Sequence, residues 1–383
     1  MSTAAEIQAV TAEAVADMRR LLVHRTRPVR IMEVCGTHTV AIFRAGLRQI
    51  LPAEIELVSG PGCPVCVTAD DYIDAAIAYA GMEDVIITTF GDMLKVPGTL
   101  SSLAEAQAQG ADVRIVYSPL DALTVAAKNP SKQVVFLAVG FETTAPTEAA
   151  AVLAAEAQGL GNFFLLSAQK LVPPVMRALL DGGETHVDGF LLPGHVSVVT
   201  GTEGFDFLAR DYHVPGVVGG FEPLEILRAL QMIVRQIGAG EARIENAYET
   251  VVRREGNPVA RAAIERVYEP AAVRWRGLGE IPASGLVMRE EYAAFDFARV
   301  RPLALAMVGD GRNGCRCGEV LRGAIVPRDC ALFGRACVPE HAIGPCMVSV
   351  EGTCAAWYKY GGGKFRMRSS HSRTARVDSL VTR

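Results

Sequence analysis

The sequence predicts an α/β protein: two similar parallel-sheet α/β domains followed by a Cys-rich C-terminal domain. Three observations carry this. From Val29 to Val218, short β-branched runs alternate with longer Ala- and Leu-rich stretches of helical period. The strand runs are continuously apolar, as in parallel sheets covered on both faces. The cysteines fall in two groups, three up to Cys66 and six from Cys315 to Cys354, with none between.

Met1–Arg20 reads as a polar amphipathic helix. The strand candidates are then Val29–Val34, Ile55–Ser59, Val85–Thr89, Val113–Tyr117, Gln133–Val139, Phe163–Ser167, Gly189–Leu192 and Val214–Val218. Helical patterns at Asp70–Ala80, Ser101–Gln109, Leu120–Ala127 and Pro146–Ala157 separate them. So many strands over this length suit two smaller units, with the break placed at Asn129–Pro130. Glu222–Ile237 reads as one long helix, and Glu241–Tyr292 has weak, mixed helical periodicity. From Val308 the chain turns rich in Gly, Cys and Pro, a region held by ligands more than by a large core. The expected division is an N-terminal helix at 1–26, α/β domains at 27–128 and 129–240, a cysteine domain at 241–363, and a basic tail at 364–383.

With 50% apolar and 21% charged residues in a chain of 383, a sizeable core can be buried. A net charge of −4 gives no basic surface for nucleic acid. No apolar run reaches the length of a bilayer span, and the N-terminus lacks a signal-peptide core. The expected location is the cytoplasm, away from membranes. An odd total of nine cysteines in a reducing compartment argues for metal or thiol chemistry rather than a disulfide framework.

The unusual residues follow the strands. Cys35-Gly-Thr-His38-Thr follows the first, Gly60-Pro-Gly-Cys63-Pro-Val-Cys66 the second, Gly140-Phe-Glu142-Thr-Thr the fifth and Pro193-Gly-His195-Val-Ser the seventh. Ligands of open α/β sheets gather at the carboxyl ends of strands, so Cys35, His38, Cys63, Cys66, Glu142 and His195 are expected around one cleft. Cys63 and Cys66 have the spacing of a redox dithiol, and a following helix N-terminus would favour thiolate. The alternative is half of a structural zinc site completed by Cys35 and His38. Cys35 with His38 resembles a thiolate–imidazole pair able to move a proton near neutral pH. A buried inert thiol and a backbone-bonded histidine are the plainer readings. For Glu142 and His195 those plainer readings are a cap carboxylate and a satisfied core imidazole. Cys315, Cys330, Cys337 and Cys354 form a Cys-x14-Cys-x6-Cys-x16-Cys pattern. Four thiolates suit an iron–sulfur cluster or zinc, and the wide spacing favours the larger cluster. Cys317 and Cys346 are surplus to four ligands.

These motifs together resemble the HypD family of [NiFe]-hydrogenase maturation proteins, from about Arg27 to Gly362. The tail after Gly363 departs from the family's usual end. The resemblance implies two α/β domains and a third bearing a [4Fe–4S] cluster on Cys315, Cys330, Cys337 and Cys354. It implies a scaffold on which iron becomes a transient Fe(CN)2CO fragment. Cys35 would hold that iron together with a cysteine of a HypC-like small chaperone. Cys63 and Cys66 would be the redox pair, and a HypE-like partner would donate cyanide as a protein thiocyanate. Two other readings stand beside it. One is an iron–sulfur-dependent thiol–disulfide oxidoreductase, for which Cys35 would be dispensable. The other is a zinc-stabilised interaction protein without redox activity.

Overall fold

The computed structural model describes residues 4–183, 186–304 and 314–361. The expected basic tail at 364–383 lies outside the described residues. Among the described residues, eleven strands form in chain order: β1 Val29–Glu33, β2 Ile55–Ser59, β3 Val85–Thr89, β4 Val113–Ile115, β5 Gln133–Ala138, β6 Phe163–Ser167, β7 Gly189–Pro193, β8 Gly216–Gly219, β9 Ile244–Asn246, β10 Tyr268–Trp275 and β11 Gly279–Met288. The first eight match the expected strands to within a few residues. Local chemistry sets the helices between them. Ser102 and Glu105 form a capping box at Leu103–Ala108, and Ser118 caps Pro119–Lys128 with Pro at the first turn.

Two parallel sheets result, in the orders β2-β1-β7-β8-β9 and β4-β3-β5-β6. Their membership corrects the expected break at Asn129–Pro130. β5 pairs with β3, from Val85↔Gln133 onward, so the strands on either side of that break share one sheet. β7 returns to β1 through Ile31↔Gly189. The β3–β6 unit is therefore inserted between β2 and β7. Apolar patterning identifies strands but carries no information on which distant strand each one joins.

The N-terminal helix, Ala4–Leu22, belongs to the first sheet. Met18 and Leu22 are fully buried against Ile226, Leu230 and Ile233 of the Pro223–Ala239 helix. Asp17 accepts from Gln231 and Arg235 on that helix at 2.7 and 2.9 Å.

A second correction concerns Glu241–Tyr292. This stretch contains β9 and an antiparallel hairpin, β10–β11, paired from Tyr268↔Met288 to Trp275↔Gly279. Pro270, a register shift between Ala271 and Val273, and Gly277 and Gly279 in the turn interrupt the strand alternation and hide it from a periodicity reading. The hairpin reaches both sheets' loops. Thr68 bridges to Trp275 and Lys170 to Gly285. Arg276 binds the turn after Cys66 through Val67 O at 2.9 Å and Thr68 O at 2.8 Å, and pairs with buried Asp70. The cysteine region is made of short helices, of which Thr353–Tyr360 lays Trp357 against Phe43.

Candidate functional site

In the first sheet, β1 connects onward to β2 on one side and β7 to β8 on the other. The gap between β1 and β7 is therefore the switch point where ligands gather in open α/β sheets. Cys35 directly follows β1's final turn and caps the Gly36–Arg44 helix, while His195 follows β7. The Gly60–Cys63 loop closes on Cys35 from the β2 side. Gly36 N donates to Gly62 O at 2.9 Å, and a Cβ on Gly62 would lie 2.5 Å from Cys35 Cα. The cysteine region closes from the other side. A Cβ on Gly36 would lie 2.5 Å from Glu351 O. Thr37 Oγ1 donates to Glu351 Oε1 at 2.7 Å.

His38 is fully buried, and its Nε2–H donates to Gly220 O, which follows β8, at 2.9 Å. Phe221 is sandwiched between the imidazoles of His38 and His195, at centroid distances of 4.6 and 4.0 Å. Tyr248 meets Phe221 edge-on. Burial lowers the His38 pKa to about 4. The ring is therefore neutral near pH 7, with its Nε2–H committed to the Gly220 carbonyl. Burial also lowers the His195 pKa, opposed by the carboxylate of Glu351. The Cys35 thiol is pushed up to about 11, first by burial and also by Glu351, with the amides of Thr37 and His38 opposing.

Cys63 and Cys66 lie one short turn away and are buried. Cys66 N–H donates to Cys63 Sγ at 3.3 Å, as the cap of the Pro64–Val67 turn. Burial drives the Cys66 thiol well above its ordinary range. The amide at the start of this four-residue helix serves Cys63 at its cap, whereas Cys66 sits within the turn and its thiol is governed by burial. The neighbours of Cys66 are the notable feature. Its thiol packs in one buried cluster with Cys346 and Cys317, against which Cys315 lies, and donates to Pro345 O, beside Cys346, at 3.9 Å; each thiol in the order Cys66, Cys346, Cys317, Cys315 shifts the pKa of the next. The two cysteines surplus to a four-ligand pattern thus form a continuous line from the dithiol to the C-terminal group.

Cys315, Cys317, Cys330, Cys337, Cys346 and Cys354 line one small cavity, walled by Val320, Leu332, Phe333 and Met347. Burial first, then the thiols of Cys317, Cys315, Cys337 and Cys330, hold the Cys354 pKa high. Among the described residues, no group of three or more His, Cys, Asp or Glu is set for a single metal ion. Donors that are all soft thiols around an apolar cavity do suit an iron–sulfur cluster, whose iron would deprotonate them on binding.

Glu142 stands apart from these groups. Its Oε1 accepts from Val172 N at 2.9 Å, and it lines a different cavity, beneath the β10–β11 hairpin. The switch point brings together Cys35, His38 and His195, and a loop contact adds the Cys63–Cys66 turn.

The sequence matches a known family. The family model described as "HypD: Hydrogenase formation hypA family" matches residues 9–361. The chain belongs to the HypD family. It is 48% identical over 342 residues to the hydrogenase maturation factor HypD of Rhodobacter capsulatus, covering 88% of this chain and 91% of that one. It is 48% identical over 336 residues to HypD of Escherichia coli (strain K12), covering 87% and 90%. For HypD of Rhizobium leguminosarum bv. viciae the identity is 45% over 361 residues, covering 91% and 92%. Membership assigns this HypD-family chain to hydrogenase maturation. No helix among the described residues is long and apolar enough to cross a membrane. Sequence reasoning missed Glu351, Phe221 and Tyr248. Glu351, three residues before Cys354 in a Gly-containing turn, carried the one usable signal: an acidic residue inside a metal-type cysteine run.

Proposed function

We propose that this chain is the scaffold and redox protein on which the Fe(CN)2CO group of a [NiFe]-hydrogenase is assembled. The observation that carries this reading is the thiol line Cys63, Cys66, Cys346, Cys317, Cys315, which starts beside Cys35 and ends in the C-terminal thiol cavity. Cys35 is the thiol for the iron cargo, shared with a HypC-like small chaperone. It stands at the sheet switch point and outside the line, so it binds without being consumed as a reductant. Iron would displace the Cys35 proton as it binds, and the amides of Thr37 and His38 favour the resulting thiolate.

A HypE-like partner delivers cyanide as a protein thiocyanate. Cleavage of its S–C bond takes two electrons. The thiols of Cys63 and Cys66 supply both electrons and two protons as they close to a disulfide, releasing the partner's thiol and hydrogen cyanide, which ionises on iron. Exchange with Cys346 and Cys317 then restores the dithiol and moves the disulfide toward the C-terminal cavity. Cys315, Cys330, Cys337 and Cys354 would hold a [4Fe–4S] cluster there, which supplies single electrons when bound.

The test is the Cys35→Ala variant, purified anaerobically with the small chaperone and examined by infrared spectroscopy. The variant is expected to keep its fold and iron–sulfur absorbance and to lose the bands of metal-bound cyanide and carbon monoxide. A full complement of those bands would remove Cys35 from the assignment.

A further inference from the structure

The Gly140–Thr144 motif leaves Glu142 outside the thiol chemistry, and its surroundings are those of a second site. Glu142 is 3% exposed. Oε1 holds Val172 N, the first amide of the Val172–Gly182 helix, while buried Oε2 has no hydrogen-bond partner in the structure. A cap needs one acceptor only, and a serine or glutamine would supply it at lower desolvation cost. Half a carboxylate left without a donor in an apolar wall is a standing penalty unless something else pairs with it.

The space beside it can accept such a partner. Glu142 lines a cavity of about 470 Å3 between the start of the Val172–Gly182 helix, the end of the Gly194–Thr200 helix, the Pro258–Val267 helix and the β10–β11 hairpin. Its walls include Leu171, Pro173, Val199, Ile264 and Leu286. The volume is that of an ordinary small-molecule site, apolar with few polar groups. Charges at its edge are already paired. Arg261 faces Glu265 at 4.0 Å, Arg289 faces Glu269 at 3.6 Å, and Glu203 faces Arg254 at 3.3 Å. Two buried polar atoms of the lining residues have no hydrogen-bond partner, Glu142 Oε2 and the Tyr268 hydroxyl, and burial keeps the phenol neutral, so Glu142 is the one that can carry an unbalanced charge.

We infer that this cavity is a binding site for a small organic cation, an amidinium or ammonium group on an apolar ring-sized body, whose N–H donates to the carboxylate of Glu142. The apolar body replaces water on the walls, and the charged donor completes the carboxylate. Burial raises the Glu142 pKa to about 7, so the cation binds the ionised form and its affinity rises from pH 6 to pH 8. The site is coupled by position to the thiols. The hairpin that lines it also carries Trp275 and leads into Arg276, which grip the turn after Cys66.

Calorimetric titration of the full chain with benzamidine tests this, with benzamide as the neutral probe of the same shape. Benzamidine is expected to bind more tightly than benzamide and more tightly at pH 8 than at pH 6. Glu142→Gln keeps an amide oxygen for Val172 N, so the helix cap survives. It should weaken benzamidine by roughly tenfold or more, the scale of a charge-assisted hydrogen bond. Glu265→Gln, at the edge, should leave binding unchanged. The inference is overturned if benzamidine does not bind, if benzamide binds equally well, or if Glu265→Gln and not Glu142→Gln removes binding.

Discussion

Gly62→Ala probes how the Cys35 turn is assembled. A Cβ at this position would lie 2.5 Å from Cys35 Cα and 2.5 Å from the Val34 carbonyl carbon, and it would also press on Cys35 N. These are backbone atoms of the strand end itself, so no side chain can swing away to relieve the contact. Ordinary carbon–carbon contact begins near ~3.5 Å, so the two loops must part by about 1 Å. Overpacking of this kind costs about 2 to 3 kcal/mol, and here the displacement falls on the residue that caps the Gly36–Arg44 helix. Gly161→Ala is the matched control, because its Cβ meets nothing within 4 Å. It should change stability by no more than about 0.5 kcal/mol. Urea unfolding followed by circular dichroism measures both variants. The rate at which iodoacetamide alkylates Cys35, read by peptide mass spectrometry, reports the local opening. Gly62→Ala should lower the midpoint and speed alkylation several-fold. If its midpoint and its alkylation rate both match those of Gly161→Ala, the loop–strand packing argument is wrong.

Three other outcomes follow from the same structure. Asp70→Ala strands the buried Arg276 guanidinium and should cost about 3 kcal/mol in urea unfolding, with Asp70→Asn intermediate. Cys63→Ser leaves the Cys66 thiol facing Cys346, so mild oxidation should trap a Cys66–Cys346 disulfide. Its absence from the peptide map would break the proposed thiol line at its first step. Glu148 is fully buried and its pKa is raised by burial from 4.5 to about 8. The folded state then holds a proton that the unfolded chain releases, so stability is greatest below pH 4.5 for this group and falls as pH rises toward 8. Glu148→Gln should remove that loss and be more stable than the parent at pH 8, by at least about 2 kcal/mol in urea melts. A parallel shift at pH 5 and pH 8 would show that ionisation is not the cause.

What the sequence disclosed divides along physical lines. Buried parallel strands such as Ile55–Ser59, Val85–Thr89 and Phe163–Ser167 are predominantly apolar, and their bounds were legible to the residue. The hairpin was not, because Pro270 and the shift beside Ala271 break its alternation and much of its surface is only half-buried. Sheet membership was illegible for a different reason: β1 would pair equally well, by composition, with β5 or with β7. At the site, residue types marked Cys35, His38 and the cysteine groups. Their protonation was invisible, since it depends on burial supplied by distant segments. His38 is neutral because distant segments bury it, Phe221 among them, against the opposing pull of the Gly220 carbonyl, and Cys35 feels Glu351. Cys317 and Cys346 looked redundant because spacing along the chain does not show that Cys346 reaches back to Cys66.

The inserted sheet also sets an order of events at the ribosome. β3 to β6 occupy one uninterrupted stretch, so that sheet can close as soon as it has emerged. β1 finds β2 early but waits for β7, across a separation of 158 residues seen where Arg30 N meets Asp188. Closing so long a loop is slow, and the strand edge of β1 stays open meanwhile. The switch-point gap does not exist until β7 docks, and Glu351 arrives later still. The nascent chain therefore carries Cys35 as an ordinary thiol, and the pocket around it closes only after Glu351 has emerged.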